Sequence, residues 1–83
     1  GVFNFLAAGG FVVTEHLPEL ENYFDVGREL ITFKSTAEMV ERIQYFLSHP
    51  DERREIVEKG RDRVLRDYTW AKVWPRIMRR VLG

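Results

Sequence analysis

The sequence predicts an α/β fold with a short parallel sheet, and three features point there. The run Phe11-Val12-Val13, entered directly from Gly9-Gly10, is apolar without alternation, as in strands covered on both faces. A second strand-like run, Glu29 to Phe33, carries the β-branched pair Ile31 and Thr32. The segment between them reads as a helical connection rather than a tight hairpin, which makes a parallel pair with a right-handed crossover the expectation.

In chain order, residues 2–8 are apolar apart from Asn4, so as a helix they are expected to be buried on nearly all sides. Gly9 then supplies a left-handed C-terminal turn. The first strand is placed at 11–15, where Thr14, Glu15 and His16 turn polar. Ligands of open parallel sheets sit beyond the carboxyl ends of the strands, so this end is the first place to look for a site. A short helix is expected at 18–24, with Leu17, Leu20 and Phe24 on one side, followed by the second strand at 29–33.

Ser35-Thr36-Ala37-Glu38 matches a capping box and starts a helix over 36–48, with the apolar stripe Met39, Val40, Ile43, Phe46 and Leu47. Pro50 suits the first turn of the next helix, 50–68, and Asp51 and Glu52 suit the positive end of its dipole. Ile56, Gly60, Val64 and Tyr68 share one face of that helix. Gly60 therefore belongs to the buried side, where close backbone packing is the reason to accept its weak helix propensity. Thr69 caps a last helix over 70–82, whose stripe is Trp70, Val73, Trp74, Ile77, Met78, Val81 and Leu82, with a kink or restart at Pro75.

Composition narrows the function classes. Eighty-three residues, 45% hydrophobic and 13% aromatic, make one small segment with enough apolar material for a core. Without cysteine there is no disulfide and no thiolate metal site, and the expectation is a cytoplasmic protein. Basic and acidic residues balance at 13 each, so no net field recruits nucleic acid or a membrane. The charge is nevertheless uneven: Glu15, Glu19, Glu21, Asp25 and Glu29 face only Arg28, while Lys72, Arg76, Arg79 and Arg80 have no acidic neighbour. That basic set could touch an anionic membrane surface or nucleic acid, but a solvated outer face is the preferred reading. No run has the length of a membrane span. The chain begins in mid-element at Gly1-Val2-Phe3, and two parallel strands alone leave both edges unpaired, so a piece of a longer chain is expected.

The run Val2-Phe3-Asn4-Phe5-Leu6-Ala7-Ala8-Gly9-Gly10, the strand ending in Thr14-Glu15, and Pro18-Glu19-Leu20-Glu21 resemble the C-terminal nucleotide-sugar-binding half of GT-B glycosyltransferases. The nearest likeness is to the group 1 transferases and their spore-maturation-type relatives. The later landmarks His49-Pro50-Asp51-Glu52-Arg53, Gly60, Arg63-Val64-Leu65 and Tyr68-Thr69-Trp70 extend the likeness over nearly the whole chain. The resemblance implies a partial Rossmann-like domain that holds a nucleoside diphosphate sugar as donor substrate, with no separate cofactor. It also implies a further, N-terminal Rossmann-like domain as partner across a cleft.

It further implies that Asn4, where relatives often carry Glu, reaches the nucleotide ribose, and that the helix start near Val2 and Phe3 lies close to the diphosphate. Gly1 stands where relatives often have Arg. With Thr14 and Glu15 from the strand end, the candidate donor-binding residues are Val2, Phe3, Asn4, Thr14 and Glu15.

Other constellations have simpler readings. Asn4 alone could satisfy a neighbouring backbone group in a buried helix. His16 and His49 are too far apart for a ligand-spaced metal pair and read as solvent-facing or capping residues. Glu19 and Glu21, two apart on a helix, point away from each other. Trp70 and Trp74 read as core, and Ser35 and Ser48 as caps. The functional expectation is the donor-binding part of a glycosyltransferase, inactive by itself. The alternative is a non-catalytic α/β module that docks through its strand edge and C-terminal amphipathic helix.

Overall fold

The computed structural model describes residues 2–68. Their order is α1 (Val2–Ala7), β1 (Val13–Glu15), a 3₁₀ helix (Pro18–Asn22), β2 (Ile31–Phe33), α2 (Thr36–Ser48) and α3 (Pro50–Asp67). The strands pair in parallel with Val13 opposite Ile31, Thr14 opposite Thr32 and Glu15 opposite Phe33. This is the expected mixed α/β arrangement, consistent with a partial Rossmann-like domain. The last predicted helix, with Trp70, Trp74, Pro75 and the basic set from Lys72 to Arg80, lies outside the described residues.

Both strands are shorter than predicted, because the flanks bond without forming full ladder steps. The Val12 carbonyl accepts from the Ile31 amide at 3.0 Å and the Phe33 carbonyl from the His16 amide at 2.8 Å. Before β2, Val26 bridges Leu30 in parallel fashion and Gly27, at φ 95°, donates to the Leu30 carbonyl at 2.7 Å. The chain thus folds back on itself over Asp25–Leu30, and Glu29 belongs to this turn rather than to the strand. The short helix is 3₁₀, with Phe24 buried and Leu20 half-buried but Leu17 exposed, so the predicted three-residue face is incomplete.

Alternation through the sheet builds two cores. Leu6, Phe24, Leu30 and Val64 form one, with Val12 against it; Ile31, Phe46 and Ile56 form the other, with Phe11 and Val13 against it. The first is covered by α1 and the later part of α3, the second by α2 and, through Ile56, the earlier part of α3. Phe11 and Phe46 meet with ring centroids 5.1 Å apart. The α3 face predicted from Ile56, Gly60 and Val64 is the buried one.

Two expectations of burial are corrected. Within α1 only Leu6 is fully buried; Asn4 is exposed and Phe5 is 63% exposed, because among the described residues the sheet beneath is two strands wide. Along α2 only Phe46 is fully buried, leaving Val40, Ile43 and Leu47 exposed, Leu47 at 69%.

Polar contacts hold the elements in place. The Ser35 hydroxyl accepts from the Glu38 amide at 3.2 Å, as a capping box requires. Its reciprocal arm differs, since the Glu38 carboxylate accepts from the Lys34 amide, one residue early, and from Arg42. His49 closes α2 and opens α3: its Nδ1–H donates to the Tyr45 carbonyl at 2.6 Å, and its ring stacks on Tyr45 at 3.9 Å. Arg61 Nε donates to the Ala7 carbonyl, tying the free end of α1 to α3.

Glu29 was expected to face only Arg28; the structure pairs it elsewhere. It is 7% exposed, accepts from Arg63 Nε through both carboxylate oxygens, and accepts the Asp25 amide. Arg28 pairs with Asp25 instead. Charge sorting by sequence proximity missed a partner 34 residues away.

Candidate functional site

The sequence places the candidate site at the start of α1 and the carboxyl end of β1. Val2 and Thr14 come together around a shallow groove of about 320 Å³, whose other walls are Phe5, Phe11, Val12 and Val13. Its side chains are apolar apart from Thr14, and backbone groups add polar surface.

The other candidates stand outside it. Phe3 joins an aromatic cluster, with ring centroids 6.0 Å from Tyr23, 5.3 Å from Phe24 and 5.2 Å from Tyr68. The Tyr68 hydroxyl donates to the Tyr23 carbonyl and locks that cluster against α3. Asn4 and Glu15 are both exposed. Asn4 offers its carboxamide to solvent rather than to a buried backbone group. Beyond β1, His16 is half-buried and its Nδ1 shares a hydrogen bond of 3.3 Å with the Thr32 hydroxyl, which joins the two strand ends.

A larger groove, about 530 Å³, lies on the far side of β2 and is lined by Val26, Ile31, Thr32, Arg42, Tyr45 and Phe46 among others. Sequence reading did not single it out. Two of its polar side chains are already engaged: Arg42 Nε donates to the Thr32 carbonyl at 3.1 Å and the Tyr45 hydroxyl donates to Glu52.

The perturbed titrating groups lie away from the candidate site. Accepting its hydrogen bond leaves Glu52 holding the Tyr45 phenol protonated above its ordinary range. Hydrogen bonds to Glu29 first, then Asp67, raise Arg63; hydrogen bonds from Arg66 first, then Arg63, lower Asp67. Tyr45 with Glu52 joins α2 to α3 and Arg63 with Glu29 joins α3 to the turn before β2, whereas the Asp67 contacts stay within α3. Among the described residues no group of three or more His, Cys, Asp or Glu has the arrangement to hold a metal ion. No helix among them is long and apolar enough to cross a membrane.

A short parallel pair, a crossover of 3₁₀ and turn structure, and helices on both faces define an α/β unit of Rossmann-like type. The chain belongs to the glycosyl transferase-like family, whose profile matches residues 2–79. Its function is accordingly of glycosyltransferase type. No curated protein and no solved structure matches it.

Proposed function

We propose that this chain supplies the donor side of a glycosyltransferase, binding a nucleoside diphosphate sugar whose sugar is transferred to an acceptor. The family match over residues 2–79 carries this reading. The polar end of β1 supports it, because Thr14 and Glu15 stand where open parallel sheets receive ligands. In this reading Asn4 hydrogen-bonds a ribose hydroxyl, Thr14 and Glu15 contact polar groups of the donor, and Val2 and Phe3 set the start of α1 beside it. The partner is a second Rossmann-like domain that closes the cleft and brings the acceptor. Stabilisation of the departing diphosphate is chiefly electrostatic in such a transfer. The chain alone binds without catalysing.

An amide NMR titration with uridine and guanosine diphosphates tests this. Saturable shifts over Val2 to Phe5 and Thr14 to His16 are expected. A dispersed spectrum that stays still at millimolar nucleotide would count against the reading.

A further inference from the structure

Alternation along the strands sorts their side chains onto two sides of the sheet. Val12 and Leu30 pack with Leu6 of α1, whereas Phe11, Val13 and Ile31 pack with Phe46 of α2. In steps of two, Thr14 and Thr32 follow Val12 and Leu30 onto the α1 side, and Glu15 takes the other. Thr14 and Thr32 are direct neighbours in the register. His16 joins them, because its amide continues the ladder to the Phe33 carbonyl and its ring meets the Thr32 hydroxyl at 3.3 Å. The α1 side of the sheet thus turns from apolar to polar at one level, the carboxyl end of both strands.

Two of these polar atoms are uncommitted. Thr14 and His16 are half-buried, and among the described residues neither the Thr14 hydroxyl nor His16 Nε2 has a hydrogen-bond partner. No buried side-chain nitrogen or oxygen among those residues lacks a partner, so both atoms open onto the surface. The contact that ties the strand ends uses Nδ1 and leaves Nε2 to meet a ligand.

We infer that His16 is a donor-binding residue whose Nε2–H donates to an anionic oxygen of the nucleoside diphosphate, with Thr32 as the residue that orients its ring. This rests on the donor reading above. Thr32 donates its hydroxyl to Nδ1, which sets the proton of the neutral ring on Nε2. With the Thr14 hydroxyl, that places two donors side by side at the strand ends. Phosphate oxygens only accept, so they match such a pair; a ribose hydroxyl both donates and accepts, which suits the carboxamide of Asn4. Hydrogen bonds to an ionised oxygen are the stronger kind.

Two-bond proton–nitrogen NMR of the 83-residue chain, with the His16 ring assigned through His16→Gln, tests this. Above the ordinary imidazole range the ring should be protonated at Nε2 and not at Nδ1, and Thr32→Val should mix the two tautomers. Saturating uridine or guanosine diphosphate should shift the Nε2 resonance, and the matching nucleoside should leave it in place. By calorimetry, His16→Ala is expected to lower diphosphate affinity roughly 10- to 100-fold, as the loss of a hydrogen bond to a charged group does. His16→Gln keeps an N–H and should recover part of that. Circular dichroism shows whether each variant stays folded, and the wild-type ring resonance decides the matter if His16→Ala does not.

Nucleotide binding seen at the amides of Val2 to Phe5 with an unmoved His16 ring overturns the inference and leaves the donor reading standing. A ring protonated at Nδ1, or an equal shift from the nucleoside alone, overturns it as well. A chain that binds neither nucleotide removes both readings together.

Discussion

Arg63 and Glu29 meet in a bifurcated hydrogen bond, with the Arg63 Nε–H shared between the two Glu29 carboxylate oxygens at 3.1 and 2.8 Å. Since Glu29 also accepts the Asp25 amide, one carboxylate fixes both the turn before β2 and its seat on α3. Glu29→Ala is expected to destabilise the chain by about 1–3 kcal/mol, the cost of leaving a desolvated polar group unpaired. Glu29→Gln keeps an acceptor for the Asp25 amide and should lose less. Urea melts of the two variants give the comparison, and equal losses would deny the turn-fixing role.

Gly60 rests against the Glu29 carbonyl so closely that a Cβ would collide with that oxygen, and it would lie 3.0 Å from Leu6 Cδ2. Gly60→Ala gains about 1 kcal/mol of helix propensity. Overpacking against backbone costs typically ~1–3 kcal/mol, and a carbonyl held in a turn has little room to yield. A net loss of stability is expected, and a raised urea midpoint would show that α3 can shift outward.

The hydroxyl of Ser35 is the cap of α2, and Ser35→Ala should cost about 0.5–2 kcal/mol. Ser35→Asp should recover most of that loss. Thermal unfolding followed at the helix signal decides it.

Asp67 makes stability sensitive to acid. Its folded-state pKa lies below the unfolded value of about 3.9, chiefly through the hydrogen bond from Arg66 and then that from Arg63. The contribution is complete above the unfolded pKa and is lost as pH falls through the lower, folded one. Solvent screening keeps it modest. Melting temperatures of the wild type and Asp67→Asn should therefore differ at neutral pH and converge once the pH has fallen through the lowered, folded-state pKa. Parallel curves across that range would exclude the linkage.

For the donor reading, Thr14→Val keeps the shape of the strand end and removes its hydroxyl. One net hydrogen bond is worth about 0.5–1.5 kcal/mol, so nucleotide affinity should fall up to roughly tenfold. Asn4→Ala is expected to act similarly. Calorimetric titration with uridine diphosphate measures both, and unchanged affinity in both would remove these side chains from the proposed site.

Much of the fold was legible because it rests on local signals. Ser35 marked the start of α2, Pro50 that of α3, and the spacing of Ile56, Gly60 and Val64 gave the buried face of α3. Burial of α1 and α2 was overestimated for one reason. An apolar stripe reports what a helix can cover, whereas Phe5 and Leu47 stay exposed because nothing described here lies over them. The Glu29–Arg63 contact left no local signal, since its partners lie on separate elements. At the candidate site, sequence pattern brought out Thr14 and Glu15 through the polar turn of the strand. That Phe3 would face the Tyr23 and Tyr68 rings depended on where α3 ends, which no spacing within α1 encodes.

The contact of Phe3 with Tyr68, at 5.2 Å between ring centroids, means that the path of the described chain returns to its own beginning. Those rings hold the start of α1 against the end of α3, the first and last elements of the described residues. The aromatic cluster at that point acts as the clasp between two elements more than forty residues apart in the chain.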